Sequence, residues 1–187
     1  MRKFFTLLWL LFPVAVLHYH FNEGQNQLLR EKARIHVANI RAMEQAKEPD
    51  WEAVIEEYDK VSKELPVGER PLVQHQIRLA KAKARLEMLD VIGAITDLTA
   101  LLQESAQTHG DDAKITRAVR EMLGKAHYYA TYLLKTNGAA EEEWRPFAER
   151  TRQIFRYLAE HQDPAALAQY ERRVEVEFEK TMQRKTQ

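Results

Sequence analysis

Side chains able to act as nucleophiles, bases or metal ligands are few in this chain and widely spaced. Ser62 and Ser105 are the only serines, and neither lies on a glycine-flanked strand-to-helix elbow that would expose a nucleophile. The absence of cysteine excludes thiolate chemistry, disulfides and thiolate metal sites. Of the seven histidines, His18 and His20 stand two apart, a spacing that on a helix points the two rings away from each other. His36, His75, His109, His127 and His161 show no zinc-ligand spacing, and no phosphate-binding loop, dinucleotide fingerprint or H-E-x-x-H motif occurs. The expectation is no catalytic, cofactor or metal residue, and therefore no enzyme.

One stretch suggests recognition rather than reaction. Lys125 to Tyr132 contains three tyrosines on a helical pattern. Tyr129 continues an apolar stripe and is expected in the core. Tyr128 and Tyr132, four residues apart, share an adjacent face and are the candidate partner-binding residues, large and amphipathic as interface anchors are. Glu141-Glu142-Glu143 suits a solvated helix start, where carboxylates complement the helix dipole. The arginines at 145, 150, 152 and 156 are interrupted by Glu149 and Glu160, and the 28 basic residues equal the 28 acidic ones. Neither feature supports nucleic-acid binding.

The elements that must position these residues are organised around residues 50 to 66. Asp50 is a favoured N-cap and Glu52 lies in the first turn. Trp51, Val54, Ile55, Tyr58, Val61 and Leu65 recur at helical spacing, and Pro66 forbids continuation. Forty residues later Ala94, Leu98 and Leu101 repeat Val54, Tyr58 and Val61, and twelve residues before each first marker stands an alanine, Ala42 and Ala82.

This series resembles the tetratricopeptide repeat, a helix–turn–helix unit of 34 residues. The match covers about residues 33 to 108. It departs from the repeat in its longer connector, around Val67-Gly68-Glu69-Arg70-Pro71, and in Ala106 standing where the first copy has Pro66. The resemblance implies stacked antiparallel helix pairs and an interaction module that binds proteins or peptides.

Further helices are expected from about Leu28 to Ala46, Pro71 to Leu89, Val91 to Gln107 and Asp112 to Lys135. Asn137-Gly138 stops the last of these as a left-handed C-cap. A helix beginning near Glu141 carries Pro146 in its first turns and uses Phe147, Thr151, Ile154, Phe155 and Leu158. A terminal capping helix after Asp163-Pro164 uses Leu167, Tyr170, Val174 and Phe178. Between Pro71 and Leu89 two apolar lines run side by side, so that helix should have neighbours on two sides.

The first residues bear on location. Arg2 and Lys3 precede an apolar run from Phe4 that reaches Phe21, 18 residues or about 27 Å as a helix. No small-residue cleavage site follows it. The reading is an uncleaved anchor over residues 1–22, with the membrane met by residues 4–21, and a domain of all-α, tetratricopeptide-like helix pairs over 23–187. By the positive-inside tendency that domain lies on the periplasmic side of a bacterial inner membrane, spanned once. Its expected function is a scaffold for protein–protein interaction or complex assembly in the cell envelope. The alternative is a cleaved periplasmic or secreted helical protein that binds a peptide or small ligand.

Overall fold

The structure, a computed structural model, describes residues 25–65 and 71–161, together with Arg172, Val176 and Gln183. Six helices and no strand occur among the described residues, so the chain is all-α there. None of these helices is long and apolar enough to cross a membrane. The expected anchor at 4–21, Pro66 and the stripe of the expected terminal helix lie outside the described residues. The chain divides into two compact units at Arg70 and Pro71.

In the first unit, α1 (Gln25–Glu44) packs on α2 (Trp51–Glu64). Asp50 caps α2, its carboxylate accepting the Ala53 N–H at 3.1 Å. That contact satisfies one of the backbone donors that every helix start leaves open. Val54, Tyr58 and Val61 are buried as their spacing requires, with Ile40 from α1 against them in the unit's core. The Tyr58 hydroxyl donates to Glu44 Oε1 at 2.9 Å. Burial and that carboxylate push the phenol's pKa up. Ala42 differs from the expectation. It is exposed, because Ile40 occupies the packed side of α1 and a residue two positions on points to the other side.

The second unit contains α3 (Pro71–Glu87), α4 (Val91–His109), α5 (Lys114–Thr136) and α6 (Glu141–His161). Each packs on the next, and α3 also touches α5. Ile77, Ala82, Ala84 and Leu86 of α3 are buried, and Ala82 and Leu86 belong to the core shared with α4 and α5. The core joins Ala82, Ala94, Leu98 and Leu101 to Val119, Ala126, Tyr129, Phe155 and Leu158 in a single cluster. Hydrophobic burial on this scale is the main stabilising term, at roughly 25 cal/mol per Å².

Two turns fix the antiparallel arrangement. After α5, Gly138 takes φ 75°, while the Ala139 N–H reaches the Leu134 carbonyl at 3.0 Å and that of Gly138 reaches Lys135 at 3.1 Å. This is the expected left-handed stop, with both C-terminal hydrogen bonds of a Schellman motif. After α3 the same pair of bonds forms, Asp90 to Arg85 and Leu89 to Leu86, but the left-handed residue is Leu89 at φ 63°. A leucine there is strained by about 1–2 kcal/mol, which its packing against the core offsets. Asp90 then caps α4 through the Gly93 N–H at 3.1 Å.

Ala82 and Ala94 are both 0 % exposed. Ala82→Leu or Ala94→Leu is therefore expected to overpack the core and lower stability by about 1–3 kcal/mol. Thermal melting of the chain checks this, and unchanged midpoints for both would remove the close approach inferred there.

Candidate functional site

The candidate face lies on α5, a helix that α4, α6 and α3 all contact. At 3.6 residues per turn, Tyr128 and Tyr132 are about 40° apart around its axis, with Tyr129 roughly 60° beyond Tyr132. The structure separates them accordingly. Tyr129 is 1 % exposed in the core, Tyr132 is 39 % exposed, and Tyr128 is half-buried with its ring against the core cluster. Three residues on, Lys135 places its ammonium 3.9 Å from the centre of the Trp144 ring, a cation–π contact that ties the exposed end of α5 to α6. Lys125, one turn before Tyr128 and Tyr129, is buried with its ammonium 5.5 Å from the Tyr129 ring centre. The face thus offers one exposed aromatic ring, one half-buried ring and a cation held by an indole.

Histidines that look scattered in the sequence take defined places. His75 on α3 is 6 % exposed, and its Nδ1 lies 3.2 Å from Nε2 of His109 at the end of α4. The rings meet edge to face at 85° and share one N–H. His75 Nε2 faces Glu104 Oε2 at 3.9 Å, and Arg78 grips both oxygens of Glu104. Burial lowers the His75 pKa, the positive charge that His109 and Arg78 can present lowers it further, and Glu104 acts the other way. Arg78 in turn holds the Glu104 carboxyl below its ordinary range.

In the first unit His36 reaches from α1 between two carboxylates of α2, with Glu57 on Nδ1 and Glu64 at 3.3 Å from Nε2. Lys60 and His36 together lower the Glu57 pKa. No group of three or more His, Asp or Glu positioned to hold a metal occurs among the described residues.

No family model, curated protein or solved structure matches the chain.

His127 is the residue of the aromatic stretch that the sequence left unassigned. Its Nδ1 is buried without a hydrogen-bond partner, and its ring lies 5.9 Å from that of Phe147 on α6, centre to centre. Burial, with a smaller contribution from Arg150, lowers its pKa to about 4. The unfolded chain binds this proton below pH 6.5 and the folded chain only near 4, so stability is lost as pH falls through that window. The full effect would be about 3 kcal/mol at 1.36 kcal/mol per pH unit, and water at the partly exposed ring reduces it to about 1–2 kcal/mol. His127→Leu should accordingly flatten the fall in melting temperature between pH 7 and 4.5. An equally steep fall in the variant would contradict this assignment.

Proposed function

We propose that this protein is a membrane-anchored, tetratricopeptide-like scaffold whose helical domain binds a partner protein on the periplasmic side of a bacterial inner membrane. The observation that carries the reading is the order of packing in the second unit. α3 pairs with α4, α4 with α5 and α5 with α6, while α3 also touches α5. In a stacked array of helix pairs, the first helix of one pair meets both its own partner and the first helix of the next. Ala82 and Ala94, at the small-residue positions of the resembled repeat, are fully buried in that packing.

The aromatic face on α5 is the proposed partner site. Aromatic side chains at interfaces combine large apolar area with a polar tip and dominate binding energy when they are buried by a partner. The proposed anchor rests on the basic tip and the apolar run of residues 4–21 in the sequence. The role is one of assembly, with no catalytic step assigned to any residue.

Location is tested by fusing a reporter after Gln187. A reporter that works only outside the cytoplasm should be active, and the fusion should sediment with membranes and retain its first residues. Activity of a reporter that works only in the cytoplasm would overturn the topology. A mature chain beginning beyond residue 22 would replace the anchor with a processed, released protein.

A further inference from the structure

The histidine contact between α3 and α4 points to a function separate from partner binding. We propose that His75 and His109 form a proton-operated tie, holding the first turns of α3 on the end of α4 near neutral pH and releasing them when both rings are charged. The contact geometry sets this behaviour. Two neutral imidazoles 3.2 Å apart share one hydrogen bond, with one N–H donating and the facing nitrogen accepting. Adding one proton leaves an imidazolium that still donates to its neutral neighbour, now as a charge-assisted bond. Adding the second proton puts a donor on both facing nitrogens with no acceptor between them.

The surrounding charges favour separation at that point. The groups acting on His75 are His109 and Glu104 from α4 and Arg78 from its own helix. Glu104 is the one anion among them, and its two oxygens are already engaged by Arg78. Two imidazolium rings and a guanidinium would then share one carboxylate. Because His75 is buried, its ring has little water to screen the repulsion and must move out to be hydrated.

The segment that would move starts at the surface. Pro71 and Leu72 are exposed, Val73 and Gln74 are half-buried, and His75 is the first buried residue of α3. Pro71 also begins the second unit. Release of the tie would loosen the first turns of α3 without unfolding the core.

Hydrogen exchange of the full chain in detergent tests this, with rates corrected for the intrinsic effect of pH. Amides of His75 to Arg78 should exchange at least tenfold faster at pH 4.5 than at pH 7.5, relative to those of Leu123 to Tyr129. His109→Gln keeps a side chain that can hydrogen-bond but takes no proton, so it should retain protection and lose the pH response. Three results would overturn the proposal: a flat response in the unaltered chain, a response that persists in His109→Gln, or acceleration at 123–129 equal to that at 75–78.

Discussion

Tyr129→Ala is expected to lower the unfolding free energy by about 3–5 kcal/mol, the range for removing a large aromatic side chain from a core. The ring is 1 % exposed and belongs to the cluster that also includes Ala82, Ala126 and Leu158. Its removal would leave a cavity between packed helices, where rigid neighbours relax only in part. The comparison that gives the result meaning is Tyr128→Ala with Tyr132→Ala. Tyr132 is 39 % exposed, whereas Tyr128 leans on the core, so the double substitution should cost about 1–2 kcal/mol. Chemical denaturation of the three chains checks the order. A double variant less stable than Tyr129→Ala would mean that the two faces are exchanged.

Gly124→Leu is the second large effect, about 3 kcal/mol or slightly more. A Cβ at Gly124 would stand 2.8 Å from Phe155 Cε1 and 3.0 Å from Ile154 Cγ2, both on α6. α5 and α6 therefore approach closely because this residue has no side chain, and Phe155 is itself buried. The added bulk must push α6 away or drive Phe155 from its rotamer, at the upper end of the 1–3 kcal/mol typical of overpacking. Gly124→Ala separates the contributions. It gains roughly 0.5–1 kcal/mol of helix propensity while meeting the same contacts, so its net loss should be about 1 kcal/mol. If the alanine variant were more stable than the parent, Phe155 would be free to shift and the close crossing would not constrain the fold.

Much of the helical framework was legible because periodicity and stop signals agree. Asp50 caps where predicted, Asn137-Gly138 ends α5, and Ile115, Val119, Ala126 and Tyr129 are buried along one stripe. Ala42 was misleading because spacing along a helix says which residues share a face, not which face finds a neighbour. Gly124 carried no distinguishing signal, since a glycine within a helix can equally be a neutral substitution or a crossing point. The tyrosine face was separable from the core by angle alone, although the lean of Tyr128 on the core depends on tertiary packing.

The histidine tie was hidden by 34 residues of separation, yet the register of the α3–α4 hairpin contains it. Arg85 pairs with Asp97 at 3.4 Å, and seven residues back on α3 Arg78 pairs with Glu104, seven residues on along α4. Three residues further back on α3 and five further on along α4 stand His75 and His109. Once the turn at Leu89 and Asp90 is known, matched basic and acidic residues at two-turn spacing bring His109 to within two residues of the position facing His75. The approach of His36 to Glu57 and Glu64 had to be seen in the structure.

The scaffold reading is tested most directly by partner capture from native membranes. The full chain, expressed at its natural level, is cross-linked, solubilised and purified beside Tyr132→Ala and the double variant with Tyr128→Ala. The reading expects a stoichiometric protein partner with the unaltered chain, weaker capture with Tyr132→Ala, and about a thirtyfold loss with the double variant, equivalent to 2 kcal/mol at an aromatic anchor. Both variants should remain folded at the temperature of the experiment. A folded double variant that captures the same partner undiminished would contradict the assignment of the α5 face, and a chain recovered without any stoichiometric partner would contradict the scaffold itself.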